Sequence, residues 1–364
     1  LDDSADDAPF SFIKGRVASE SFTDSSRKED NQVKTDLLKI NSAGSRTQRT
    51  DISEQAKEAE IVDITSSESD MILANFIGAA WSSQQVRSVL LDARGKSGAI
   101  AGKSTLVSVD LTSGKEKTLR LPGGYVASAD SINGYHAIVT GENQISLWNS
   151  LFSSELGYIS SIYQKIQDVS FRSGDHLVIL AGKSIIGCSL PSVWRRNPRL
   201  ETIALLPDNR NILLDVSTDG SIFALADSFG SVNIHSCRDR FKRLVHVDSG
   251  STVKSLGFSP RGRHLAILTH EGRLMILEVD SGRLLRFPKE MAFLDIAFTE
   301  ELLIGLTFND GIYFWESGKY ESYRMSVAGE LLTGIYGSLR SSVFAVSVNS
   351  GEVKFFDLEN ITTV

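Results

Sequence analysis

Residues His136–Asn149 read HAIVTGENQISLWN, and this stretch decides the fold. An alternating apolar run leads into Gly-Glu-Asn, then a second run, then an aromatic residue ahead of a small polar one. Alternation at period two belongs to half-buried strands, and a short polar turn containing glycine folds two such runs into a hairpin. The same pattern recurs as HLVILAGKSIIGCS, IFALADSFGSVNIHS, HLAILTHEGRLMILE, LLIGLTFNDGIYFWE and FAVSVNSGEVKFFD, with a weaker first copy, GAIAGKSTLVSVD.

Aligned on the residue that ends each second run, the copies fall at Val109, Trp148, Cys188, His235, Leu277, Trp315 and Phe356. The intervals are 39, 40, 47, 42, 38 and 41 residues. The next residue is always polar or acidic: Asp110, Asn149, Ser189, Ser236, Glu278, Glu316 and Asp357. A repeat of about 40–45 residues carrying four short strands marks the blade of a β-propeller. Strand a, the innermost, reads VRSVLLD, YVASADSI, IQDVSF, NILLDVS, TVKSLGF, FLDIAF and LLTGIYG in turn, and the quoted hairpins supply strands b and c. The seventh repeat has only ENITTV left for a fourth strand, whereas MILANFIGAA at Met71–Ala80 is a strand without a repeat.

The pairs Trp148-Asn149 and Trp315-Glu316, with Phe356-Asp357 and Val109-Asp110 more distantly, resemble the Trp-Asp that ends the third strand in WD-repeat (WD40-like) propellers. The Gly-His pair that usually opens such repeats is missing throughout, so the repeats are degenerate. The resemblance covers residues 71–364 and implies ring closure by an N-terminal strand that completes the last blade. The expected fold is all-β: a seven-bladed β-propeller over residues 71–364, closed by residues 71–80 and preceded by a disordered or extended arm over residues 1–70.

Composition separates arm from ring. Of the net charge of −7, residues 1–70 carry all of it, with 16 acidic and 9 basic side chains, which leaves 29 of each sign in the rest. A neutral ring argues against a general nucleic-acid surface. No run reaches the roughly 18 apolar residues of a membrane helix, so no transmembrane segment is expected. The first residue is Leu, which reads as a processed or trimmed chain. The compartment stays open: cytoplasmic, or an organelle or bacterial envelope if a presequence was removed.

The arm has 17 Ser/Thr and few aromatic residues, and such a composition cannot bury enough surface to offset its ordering entropy. It is either a solvated tail or a tether whose apolar islands dock on partner proteins. The islands are PFSFI with Phe10, Phe12 and Ile13, and VKTDLLKI with Leu37 and Leu38. Asp51–Ile64 has helix-start signals, Asp51 as N-cap and Glu54 at the third helical position.

Catalytic and metal signatures are lacking: no HExxH, no GxSxG, no phosphate loop, and no His or Cys partners at ligand spacing. Neither catalytic residues nor cofactor are expected. His136, His176 and His264 share the start of strand b, a structural slot, and His235 and Cys188 stand where a blade would have Trp. Cys188 and Cys237 allow one bridge or none. Asp168, Asp215, Lys254 and Asp295 on strand a read as polar groups at the water-lined ends of channel strands.

The best interaction candidate lies in the c–d connections. PSVWRRNPR puts Trp194 beside Arg195, Arg196 and Arg199, and CRDRFKRL in the next repeat carries Arg238, Arg240, Lys242 and Arg243. Arg261 and Arg263 sit in an a–b turn that opens on the same end of the ring. Trp and Arg are over-represented in binding hot spots. The set is either a solvated basic rim or a site for an acidic protein segment. The expected function is a non-catalytic scaffold, a propeller subunit of a larger multiprotein complex with the arm as tether. The alternatives are an enzyme or small-ligand binder using the central channel, and a reader of acidic or modified peptides on the basic rim.

Overall fold

The structure is a computed structural model that describes residues 57–63, 70–92, 94–131, 133–172, 174–194, 198–208, 210–239, 241–288, 290–300, 302–309, 311–316, 322–327 and 330–363. Three strands precede the first repeat: β1 (Lys57–Glu58), β2 (Glu60–Asp63) and β3 (Asp70–Trp81). Blade 1 is β4 (Ser88–Leu91), β5 (Ser97–Ala101), β6 (Thr105–Asp110) and β7 (Lys115–Arg120). Blade 2 is β8 (Tyr125–Asp130), β9 (His136–Thr140), β10 (Ile145–Trp148) and β11 (Glu155–Ile159). Blade 3 is β12 (Ile166–Arg172), β13 (His176–Ala181), β14 (Ser184–Ser189) and β15 (Leu200–Leu205), with a short helix α1 (Leu190–Trp194) ahead of β15. Blade 4 is β16 (Asn211–Val216), β17 (Ile222–Asp227), β18 (Ser231–Ser236) and β19 (Arg243–Asp248). Blade 5 is β20 (Val253–Phe258), β21 (His264–Thr269), β22 (Leu274–Glu278) and β23 (Arg283–Arg286). Blade 6 is β24 (Phe293–Phe298), β25 (Leu302–Thr307), β26 (Gly311–Glu316) and β27 (Ser322–Ser326), and blade 7 begins with β28 (Leu332–Gly337), β29 (Val343–Val348) and β30 (Glu352–Thr363). Each blade is an antiparallel meander, a to d from the channel outward.

Blade 7 takes its fourth strand from the front of the chain. β3 pairs antiparallel with β30 from Ile72↔Thr363 to Trp81↔Glu352. Its first two residues, Asp70 and Met71, also pair in parallel with Tyr323 and Arg324 of β27, which joins blades 6 and 7 into one eight-stranded sheet. The seven-bladed, N-terminally closed ring expected from the repeats is therefore present.

The segment ahead of β3 is not helical where it is described. β1 adds a parallel fifth strand to β19 of blade 4, and β2 adds one to β23 of blade 5. Asp51 and Glu54, the helix-start signals, lie outside the described residues, and the helix formers that follow them at 57–63 give way to tertiary context. The outer edges of blades 4 and 5 present rows of unpaired N–H and C=O groups, and Ile61 and Val62 are β-branched residues that suit a strand. Ala59 packs on the apolar cluster between blades 4 and 5, and Val62 on the one between blades 5 and 6.

Among the described residues the core divides into seven apolar clusters, one at each seam between neighbouring blades. The seam between blades 7 and 1 holds Ala80 of β3 with Val353 and Phe355 of blade 7 and Val89, Ile100 and Val107 of blade 1. Ala80 is completely buried there. An Ala80→Asp substitution puts a carboxylate into that seam with no partner, at a cost of several kcal/mol. Thermal unfolding is expected to drop by roughly 5 °C or more, because the unfolding entropy grows with chain length and leaves somewhat under about 2 °C per kcal/mol here. An unchanged melting temperature would mean that β3 does not close the ring.

Candidate functional site

The a strands of all seven blades line a central cavity of about 330 Å³. Polar side chains that line it (Asp130, Asp168, Asp215) or lie beside it on the same strands and turns act as staples between blades. In β12 and β24 the pairing with strand b slips by one residue just ahead of Asp168 and Asp295, so the two aspartates stand at the same register position. They make the same contacts. Asp168 accepts the backbone N–H of Val169 (2.9 Å) and of Leu214 in the next blade (2.8 Å). Asp295 accepts those of Ile296 (3.0 Å) and of Ile335 in the next blade (3.1 Å). Asp215 accepts the N–H of Phe258 from one neighbour (2.7 Å) and the hydroxyl of Ser170 from the other (2.8 Å).

Different residues bind the other seams. Lys254 Nζ donates to the Leu294 carbonyl (2.5 Å) between blades 5 and 6. Asp130 accepts from Leu91 N–H (3.3 Å) between blades 1 and 2. Ser131 Oγ donates to the Gly174 carbonyl (2.6 Å) and Ser338 Oγ to that of Asp92 (3.1 Å), which covers the remaining two. The expectation of scattered polar groups at wet strand ends gives way to a stitched belt along the channel wall. Three of its carboxyls titrate high because the wall strips them of water: Asp168 is pushed up from 3.8 to about 7, and Asp215 and Asp295 to about 6. The N–H donors and, for Asp295, Lys254 pull the other way without overcoming burial.

The histidines and cysteines have structural surroundings. His136 is buried, with Nδ1 2.6 Å from Asp130 and its ring stacked on Phe152. His235 stacks on Phe223, and its Nδ1 lies 3.0 Å from the Phe241 carbonyl. Burial lowers its pKa, so the ring is neutral near pH 7. Cys188 and Cys237 are both free, and burial pushes the Cys237 thiol up to about 11.

The two ends of the ring differ. One carries the a–b turns and c–d connections and holds those of the singled-out basic residues that are described. Trp194 ends α1 and is 39% exposed, with its ring 5.3 Å from Tyr135 in an a–b turn of blade 2. Leu190 and Val193 of the same helix are buried against blade 2, where a Cβ on Gly157 would come within 2.9 Å of Val193. Trp194 is thus part of a bridge between blades 2 and 3. Arg199, Arg238, Arg261 and Arg263 are exposed on loops of blades 3, 4 and 5, as is Lys242. Arg243 turns inward and donates to Asn233 Oδ1 (3.3 Å). Arg195, Arg196 and Arg240 lie outside the described residues, as do Phe10, Phe12, Ile13, Leu37 and Leu38.

The opposite end carries the b–c turns and the connections from d to the next a strand. Seven exposed large apolar residues sit there: Trp81, Val126, Tyr163, Leu205, Phe229, Phe308 and Leu331, with Tyr163 fully exposed. The same end bears a cleft of about 860 Å³ between blades 1 and 2, bordered by Arg87, Lys103 and Arg120. Neither feature was legible as a site. The apolar residues fall singly in separate turns or strand ends, and the three cations come from separate elements whose meeting only the ring geometry creates.

Residues 214–292 match the family model of the anaphase-promoting complex subunit 4 WD40 domain. No curated protein matches the chain. Among solved structures, the β-propeller domain of Myceliophteria thermophila Cps50 (Swd1) is similar, with a TM-score of 0.61 at 13% identity over 79% of this chain and 100% of that one. The architecture is that of a seven-bladed β-propeller, and the WD40 family match falls on its fourth and fifth blades.

The staples yield a signed pH dependence. A carboxyl with a raised pKa holds a proton in the folded state that the unfolded chain has already released, so stability falls as pH rises toward the folded value. Chemical unfolding is expected to show lower stability at pH 8 than at pH 5. Asp168→Asn turns an NH₂ toward one of the two N–H donors, which costs about 1–3 kcal/mol at pH 5. That gap is expected to narrow by pH 8, and a gap constant across this range would contradict the assignment.

Proposed function

We propose that this WD40 propeller is a non-catalytic scaffold that brings proteins together in a multiprotein assembly. The observation that carries the reading is the distribution of side chains. Polar side chains of the channel strands are engaged in staples between blades, while large apolar residues stand exposed at one end and Arg199, Arg238, Arg261 and Arg263 at the other. Exposed apolar residues on a rigid surface serve protein contacts, and the matched family is named for a subunit of a complex. The channel carboxylates have backbone N–H partners already, which favours the scaffold over chemistry in the channel.

Within this reading the N-terminal arm is a tether, and Phe10, Phe12 and Ile13 are its docking residues. A tether raises the effective concentration of a neighbouring subunit without requiring a strong individual contact. The rim of Arg199, Arg238, Arg261 and Arg263, with Arg195, Arg196, Arg240 and Lys242, takes an acidic protein segment. Rim charges act mainly on association rate and salt dependence.

The test is quantitative mass spectrometry of partners co-purified with the native chain, beside a form that begins at Lys57 and so keeps β1 and β2. Recovery of at least one stoichiometric partner is expected to fall tenfold or more in the shorter form. Equal recovery from both would remove the tether from the account. Absence of stoichiometric partners in both would overturn the scaffold.

A further inference from the structure

The geometry points to the cleft between blades 1 and 2 as a binding site for an acidic peptide segment of a partner protein. This goes beyond the scaffold reading, because the cleft lies at the opposite end of the ring from the arginine rim. Its floor is the connection Leu121–Gly124, held rigidly to both blades. Leu121 N–H donates to the Ser104 carbonyl (2.8 Å), Tyr125 N–H to that of Lys103 (2.9 Å), and Gly141 N–H to that of Gly124 (2.8 Å). Only glycine fits at the centre. Gly123 has φ +67° and a Cβ there would stand 2.6 Å from the Glu142 nitrogen, while one on Gly124 would stand 2.8 Å from the Lys103 carbonyl. The floor is therefore pre-shaped, and a ligand spends little free energy ordering it.

Around it stand Arg87, Lys103 and Arg120, each on tethered backbone. Arg87 N–H donates to the Ala101 carbonyl (2.7 Å), the Lys103 carbonyl accepts from Tyr125, and Arg120 closes the β6–β7 ladder opposite Thr105. The blade 1 turn is further pinned by Gln84, whose Oε1 accepts from Ser104 N–H (2.8 Å) and whose Nε2 donates to Ser104 Oγ (2.9 Å). Glu142 is the one acidic side chain of the lining, and no ion pair among the described residues involves Arg87, Lys103 or Arg120. Three cations facing one cleft repel one another, and an incoming carboxylate relieves that repulsion while gaining charge-assisted hydrogen bonds.

Two features select a peptide over a nucleic acid. Residues 71–364 are neutral overall, so no extended positive field tracks a phosphate backbone. Pro122 and Val126 give the cleft an apolar margin, and Val126 is 40% exposed. The fitting ligand is a short stretch with two or three Asp or Glu residues flanking an apolar side chain.

The probe is a fluorescein-labelled peptide, acetyl-Glu-Asp-Leu-Glu-Asp-amide, titrated with the full chain at low salt and read by anisotropy. Its uncharged counterpart, acetyl-Gln-Asn-Leu-Gln-Asn-amide, and a 20-nucleotide single-stranded DNA serve as competitors. Arg87→Glu combined with Lys103→Glu is expected to weaken binding at least tenfold, while Arg261→Glu combined with Arg263→Glu on the opposite end changes it less than twofold. Single Lys103→Gln and Arg120→Gln variants, expected to weaken binding two- to fivefold, keep the test decisive if the double variant unfolds. Binding that ignores the cleft substitutions, or that falls equally with the rim pair, overturns the proposal. So does displacement by the uncharged peptide as readily as by unlabelled acidic peptide, or a tighter complex with the DNA. Because the rim pair is measured in parallel, failure of the cleft leaves the scaffold reading to its own test.

Discussion

The pairing of β3 with β30 is the contact on which the rest of the ring depends. A propeller is stable only when each blade's faces are buried against a neighbour and no long sheet edge is left within the closure. Blade 7 supplies three strands of its own, and the ladder from Ile72 to Trp81 supplies the fourth. Because Ala80 of that strand sits in the seam with blade 1, the same twelve residues close the sheet and the circle. The parallel contacts of Asp70 and Met71 with β27 extend the hold to blade 6, and β1 and β2 carry the perimeter strand back to blades 4 and 5. The apolar outer strands RLVHVD and RLLR lie under this cover, whereas the bare outer strand of blade 1, KEKTLR, is guarded by its own charges.

Seams between blades combine two kinds of interaction with different jobs. The apolar clusters supply most of the free energy, at about 1.5–3 kcal/mol for each large side chain fully buried. They are non-directional and would tolerate small slips of one blade against the next. The staples from Asp168, Asp215, Lys254 and Asp295 are directional, and each joins a side chain to the backbone of a neighbouring a strand. They set the register of blades around the channel, and the strain of desolvating three carboxyls appears in their raised pKa values.

Much of the fold was readable in the sequence because it is written in period two and repeated. The hairpins, the blade count and the closing strand follow from HAIVTGENQISLWN, its copies and the unpaired MILANFIGAA. The added strands β1 and β2 were not readable, since EIVD has no partner signal of its own and becomes a strand only on an open edge of blade 5. The aspartates were visible as residues, third in both IQDVSF and FLDIAF, but not as staples, because their partners are backbone N–H groups of the next blade. Trp194 was legible as the head of an unusual loop, and its contact with Tyr135 across the seam was not. The cleft cations Arg87, Lys103 and Arg120 are isolated in sequence, and only the meeting of blades 1 and 2 gathers them.

Hydrogen exchange on the full chain tests the central claim, that one N-terminal strand closes the ring, most directly. Amides of β3 from Ile72 to Trp81 are expected to exchange in the same slow, globally limited class as those of β28 and β29. Exchange of β3 well ahead of the other blades, with the remaining strands still protected, would show a ring that stands without its closing strand and would contradict the account.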